Sequence, residues 1–192
     1  DQISPTAIQG PAMQFIRAGD AFACGLDQAG AVYCWGYGGE GSLGLGNRNS
    51  RRSPNLVPNL PQIQDFSLSY RHVCAITGSG TVFCWGRNNE GQTGENRNVT
   101  RVTSPFQVMI TSALEVSVGR RHSCVLTANE GVWCWGLNSS GQLGVGNFET
   151  SVTPLSVGTL TNVTGVFGWR FGYGTCATTD RFEGEQGVYC WG

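Results

Sequence analysis

Short runs of alternating apolar and polar residues, separated by glycine-, asparagine- and proline-bearing turns, set the pattern of this chain. The clearest case runs from Ser67 to Ile76, turns at Thr77-Gly78-Ser79-Gly80, and returns through Thr81, Val82, Phe83, Cys84 and Trp85. Period-two alternation rich in β-formers on both sides of a small-residue turn predicts a β-hairpin. Turns of the same kind stand at Asp27-Gln28-Ala29-Gly30 and Ala128-Asn129-Glu130-Gly131. After each hairpin comes a glycine-rich stretch, at Glu40 to Asn47, Glu90 to Asn96 and Ser140 to Asn147. A polar stretch then leads to a strand marked by proline at Pro54, Pro105 and Pro154. Each unit is thus expected to hold three or four short strands and no helix.

The units repeat. Trp35-Gly36, Trp85-Gly86, Trp135-Gly136 and Trp191-Gly192 step along the chain by 50, 50 and 56 residues. That period and strand content predict an all-β, propeller-type array. Its hairpins are expected at about 15–36, 66–86, 116–136 and 166–192, within one repeat domain spanning 1–192. Eight cysteines share the register, as Cys24 and Cys34, Cys74 and Cys84, Cys124 and Cys134, and Cys176 and Cys190. Pairing Cys74 with Cys84 across the hairpin puts Ile76 opposite Val82, with all four side chains on one face. Disulfides at these positions would each contribute about 2–3 kcal/mol. Eight buried thiols are the bland alternative. Zinc is disfavoured, because metal sites use about two to four residues between cysteines.

Composition narrows the class. Charged residues make up 13% of the chain, about half the usual share. The formal net charge is −1, which gives no general attraction for nucleic acid or anionic membrane. No stretch approaches the roughly 20 apolar residues of a membrane span. Three glycosylation sequons begin at Asn98, Asn138 and Asn162. Together with paired cysteines they predict a secreted or cell-surface protein. Asp1 is compatible with a mature N-terminus left by signal cleavage.

The units also carry a recognisable motif. The third shows Gly119, His122, Ser123, Val132, Trp133, Trp135, Gly136, Asn138, Gly141, Gln142, Leu143 and Gly144. The second keeps Arg71, His72, Gly86, Asn88, Gly91, Gln92 and Gly94, whereas the first has Phe22 for His and Ser42 for Gln. The fourth lacks the histidine and is interrupted between Gly168 and Gly174. These residues resemble the repeat of the regulator of chromosome condensation family. The resemblance implies a closed propeller of about seven blades. The chain reaches only into a fourth unit, so it is expected to be a piece of a longer protein or an arc completed by another chain. Paired cysteines resemble secreted relatives, including the extracellular regions of plant Crinkly-type receptor kinases and a bacterial β-lactamase inhibitor. Nuclear members imply a different role, as a chromatin-associated guanine-nucleotide exchange factor. The cysteine pairs, the sequons and the lack of a basic tail weigh against it.

Candidate chemistry is sparse. Gly36-Tyr37-Gly38-Gly39-Glu40-Gly41 has dinucleotide-loop spacing, but no amphipathic helix follows to hold a phosphate. His72 and His122 each stand two residues before a paired cysteine, which suggests a hydrogen-bonding role within or between blades. Glu40 and Glu90 recur as turn residues, and the repeated tryptophans are expected to pack between blades. No catalytic residue, metal site or cofactor is expected. Specificity belongs to the non-repeating residues. The candidates are Arg48, Arg51, Arg52, Arg97 and Arg101 in two loops, the cluster Trp169, Arg170, Phe171 and Tyr173, and the widened hairpin from Asp180 to Gln186. The expected function is a non-enzymatic extracellular scaffold that recognises protein or glycan, or assembles with further copies of itself. An ectodomain fragment of a receptor kinase is one form this would take.

Overall fold

The computed structural model describes residues 4, 7–96, 98–129, 131–158, 160–180 and 186–192. All regular structure among them is β-strand. The first sheet holds β1 (Met13–Ala18), β2 (Phe22–Asp27), β3 (Val32–Gly36) and β4 (Arg51–Leu56). The second holds β5 (Ile63–Leu68), β6 (His72–Thr77), β7 (Val82–Arg87) and β8 (Arg101–Val108). The third holds β9 (Ala113–Val118), β10 (His122–Thr127), β11 (Gly131–Gly136) and β12 (Ser151–Ser156). The fourth holds β13 (Val163–Gly168), β14 (Thr175–Asp180) and β15 (Gln186–Trp191). Each sheet is an antiparallel meander in chain order, and the sheets form an open array of blades.

The register follows the alternation. Cys74 faces Cys84 and Ile76 faces Val82. The three prolines lie in β4, β8 and β12, the outermost strand of each sheet. A proline is tolerated there because an edge strand need not donate every N–H.

Three hydrophobic cores lie between successive sheets rather than within one. The first joins Cys24, Cys34, Leu43 and Val57 of blade one to Phe66, Leu68, Val73 and Trp85 of blade two. The same arrangement joins Cys74 and Cys84 to Val116, Val125 and Trp135. It recurs with Cys124, Cys134 and Leu143 against Val166 and Trp191. The first three disulfides thus sit under the next blade.

The first strands of the sheets lie side by side without pairing as a ladder. Their spare N–H groups are met by side chains of the preceding blade. Val118 N donates to Ser67 Oγ at 3.3 Å, Gly168 N to Ser117 Oγ at 2.8 Å, and Val166 N to Glu115 at 3.1 Å. Arg17 reaches Asp65 at 2.6 Å across the first such gap.

The Trp-Gly signature has a steric cause. Gly86 has φ +107°, and a Cβ there would lie 2.5 Å from Arg71 O. Only glycine fits that conformation and that close approach. Gly144, at φ +70°, lies directly against the Trp191 indole; a Cβ would fall 2.6 Å from Nε1.

Candidate functional site

Two sets of connections meet at one end of the array: the turn between the first and second strands of each blade, and the loop after the third. At this rim the sequence places Asp20 in blade one, Tyr70 and Arg71 in blade two, and Arg120 and Arg121 in blade three. The fourth blade carries a longer turn, Trp169 to Gly174.

These residues form a continuous stack. The Arg71 guanidinium lies 5.2 Å from the Tyr37 ring centre and 4.8 Å from that of Tyr70. The Arg120 guanidinium lies 5.1 Å from the same Tyr70 ring centre and 5.5 Å from that of Tyr173. Arg120 Nη1 also donates to the Tyr173 hydroxyl at 3.2 Å. The order Tyr37, Arg71, Tyr70, Arg120, Tyr173 thus crosses all four blades. Each guanidinium thus lies within cation–π range of two tyrosine rings.

Carboxylates fix part of the stack. Arg71 donates to Asp20 at 2.9 Å and lies 3.5 Å from Glu40. Glu40 also meets Arg101 at 3.0 Å, and Glu90 meets Arg121 at 3.2 Å. The turn glutamates expected from the sequence are therefore inter-blade ion-pair partners. Arg101, a binding candidate from the sequence, has its head paired with Glu40 across the blades.

The longer turn of blade four closes on itself, with Gly172 N donating to Trp169 O at 3.0 Å and Trp169 N to Gly174 O at 2.9 Å. The Trp169 ring lies against Gly172 and Gly174, where a side chain would collide with it. Its outer surface stays open: Trp169 is 55%, Phe171 62% and Tyr173 37% exposed. Arg170 is exposed beside them. All four candidates from this turn are thus brought together. Arg48, whose Nε donates to Gly39 O at 2.7 Å, and Arg51 and Arg52 lie in the loop and outer strand of blade one. Arg97, and 181–185 of the widened hairpin, fall outside the described residues.

Tyr37, Tyr70, Arg71 and Arg120 were not binding candidates in the sequence reading. Their one signal was positional. Tyr70-Arg71 and Arg120-Arg121 occupy the two places before His72 and His122 in successive units.

The two histidines belong to the scaffold beneath the rim. Ser123 donates its only hydroxyl hydrogen to Gln92 O at 2.7 Å, so it accepts from His72 Nε2 at 3.0 Å. Thr175 does the same, with Gln142 O at 2.9 Å and His122 Nε2 at 2.8 Å. Both rings are therefore neutral Nε2–H tautomers. Burial pushes His72 down to about 3, helped by the nearby His122, and burial pushes His122 down to about 4. Trp135 and Trp191 donate to the same two carbonyls, each at 3.0 Å, and Trp85 to Ser42 O at 3.0 Å.

All eight cysteines form disulfides, Cys24–Cys34, Cys74–Cys84, Cys124–Cys134 and Cys176–Cys190. Asn98 and Asn162 are exposed. Asn138 is a correction to the glycosylation candidates. It is fully buried, its Nδ2 donates to Asn147 O at 2.9 Å, and its Oδ1 accepts from Leu143 N at 2.9 Å. A glycan there would have to open the turn. Asn88 holds the corresponding turn in blade two.

Among the described residues, no group of three His, Cys, Asp or Glu side chains is placed to hold a metal. Among them, too, no helix is long and apolar enough to cross a membrane. A hollow of about 240 Å³ lies toward the other end, lined by Met109, Thr127, Trp133 and Pro154 among others. Among the described residues, no carboxylate, histidine or thiol lines it.

The chain resembles several solved propellers. Human WBSCR16 superposes with a TM-score of 0.77 at 22% identity, over 92% of this chain and 47% of that one. Yeast RCC1 (Prp20), solved bound to Kap60, gives 0.77 at 19% identity, over 93% and 44%. The ectodomain of the Physcomitrella patens receptor kinase CR4 gives 0.58 at 23% identity, over 93% and 41%. The chain therefore spans less than half the length of each, and at these identities the likeness is one of fold. The family's sequence profile, described as the regulator of chromosome condensation (RCC1) repeat, matches residues 29–76, 79–126 and 129–169. Each of the first two matches takes the last two strands of one blade and the first two of the next, so the sequence repeat straddles the inter-blade core. With more than half of its residues matched, the chain belongs to the RCC1 repeat family.

Proposed function

We propose that this chain is part of a non-enzymatic extracellular propeller that recognises a protein partner through its rim. The observation that carries the reading is the turn from Trp169 to Gly174, which exposes two large aromatic rings and an arginine on a disulfide-stapled support. Aromatic residues and arginine dominate binding energy at protein interfaces. A rigid support lowers the ordering cost of binding. The four disulfides and the fold shared with a receptor-kinase ectodomain support an extracellular setting. The half-exposed Trp35 and the exposed Cys190 stand where a further blade would cover them, which supports membership of a larger propeller.

The test is a screen of the secreted chain against extracellular protein domains, repeated with Trp169→Ala/Phe171→Ala. Binding lost in that variant, with unchanged unfolding, is expected. Partners that bind both forms equally contradict the assignment of the site. The competing reading, guanine-nucleotide exchange in the nucleus, has the Prp20 fold behind it. It calls for free thiols and exchange activity on a small GTPase.

A further inference from the structure

The stack at the rim contains two arginines at different repeat positions, one with carboxylate partners and one without. The Arg71 guanidinium lies within cation–π range of Tyr37 and Tyr70, and its nitrogens meet the carboxylates of Asp20 and Glu40 at 2.9 and 3.5 Å. Arg120 lies within range of Tyr70 and Tyr173 at nearly the same spacings. No carboxylate reaches Arg120 among the described residues; its one side-chain hydrogen bond goes to the Tyr173 hydroxyl. Glu90, the repeat counterpart of Glu40, is held by Arg121, the counterpart of Arg71. Arg170 adds a second cation in the adjoining turn, and it too makes no ion pair among the described residues.

We propose that Arg120 and Arg170 form a carboxylate-binding site for an acidic segment of a protein partner. This inference rests on the recognition role proposed above and names the chemistry recognised. Aspartate or glutamate side chains of the partner would take the position at Arg120 that Asp20 and Glu40 take at Arg71. Trp169 and Phe171 would cover an apolar side chain next to that carboxylate. Three features favour this occupant. Two tyrosine rings within cation–π distance and a hydrogen bond to the Tyr173 hydroxyl already restrain Arg120, so little side-chain freedom is lost when a carboxylate binds. Two unpaired cations suit one or two carboxylates, whereas a sulfated glycan or nucleic acid calls for a broad basic surface that a chain of net charge −1 lacks. Phe171, 62% exposed, has no polar atom to offer a sugar and suits an apolar peptide side chain.

Phage-displayed random peptides selected on the folded chain test the proposal, with Arg120→Gln, Arg120→Lys and Trp169→Ala/Phe171→Ala as comparators. Heparin-derived oligosaccharide and a phosphoserine peptide serve as anion controls. The expected result is enrichment of aspartate or glutamate beside an aromatic or aliphatic residue. Selected peptides should bind Arg120→Gln roughly tenfold more weakly or worse. Arg120→Lys, which keeps the charge but not the planar fork, should recover only part of that loss. Matching thermal unfolding of the variants shows that the fold is intact. Peptides without acidic enrichment, or equally tight on Arg120→Gln, overturn the inference. If those peptides still lose binding in Trp169→Ala/Phe171→Ala, the recognition role stands without it. Retention of no peptide overturns both readings. Binding of heparin or phosphoserine without acidic peptides overturns the carboxylate assignment in favour of another anion.

Discussion

Neutral histidines buried between blades make the smallest unit of this structure pH-sensitive. His72 and His122 titrate at about 3 and about 4 in the fold, against 6.5 for the free side chain. The unfolded chain therefore takes up protons first as pH falls. The stability contributed by the neutral pairs is full above about pH 6.5 and declines as pH falls, to about 4 for His122 and about 3 for His72. The fold also contains its own control. The position of His72 is held by Phe22 in blade one, and the position of Ser123 by Val73 in blade two, an apolar pair in the first core. Ser123→Val alone should cost about 1–3 kcal/mol, because it strands the His72 Nε2–H. Adding His72→Phe should recover much of that loss and flatten the acid decline. Denaturant melts at pH 7 and pH 5 measure both effects; a double variant no more stable than the single one contradicts the pairing. The sequence marked both histidines as repeat positions. Their acceptors, Ser123 and Thr175, lie in the next unit, and only the packing of one blade on another brings them within reach.

At the scale of the strand and hairpin, much was legible. Period-two alternation placed the β2–β3, β6–β7 and β10–β11 hairpins, and a cross-strand register followed from treating the cysteines as opposed residues. Removing one bridge, as Cys124→Ser with Cys134→Ser, should lower stability by about 2–3 kcal/mol by relaxing the unfolded chain. Gly86→Ala should cost about 1–3 kcal/mol through backbone strain. Both are read from chemical denaturation, and a neutral Gly86→Ala would contradict the steric account of Trp-Gly. Asn138 was the point where local pattern misled. A sequon records three adjacent residues, while the burial of Asn138 comes from a turn that folds back over it to Asn147. When the chain is produced through a secretory pathway, mass mapping should find glycan at Asn98 or Asn162 and none at Asn138. Occupancy at Asn138 in folded protein would contradict the turn structure.

Across the whole molecule, the blades are joined by apolar cores, by relays through His72 and His122, and by the stacked rim. The rim was only partly legible. Trp169, Arg170, Phe171 and Tyr173 stood out because the fourth unit breaks the repeat. Tyr37, Tyr70, Arg71 and Arg120 looked like ordinary turn residues, since stacking across blades has no local signature. Exposed members of the rim should be dispensable for folding: Arg170→Ala and Phe171→Ala are expected to change unfolding free energy by no more than about 0.5 kcal/mol. A large loss would move that turn from recognition to structure. The central claim is a disulfide-stapled extracellular scaffold. Its most direct test is thiol alkylation of the freshly isolated native protein, followed by mass mapping without reduction. The account predicts no alkylated cysteine in this region and linked peptides for Cys24–Cys34, Cys74–Cys84, Cys124–Cys134 and Cys176–Cys190. Alkylated free thiols at these positions would contradict it and favour the nuclear exchange-factor reading.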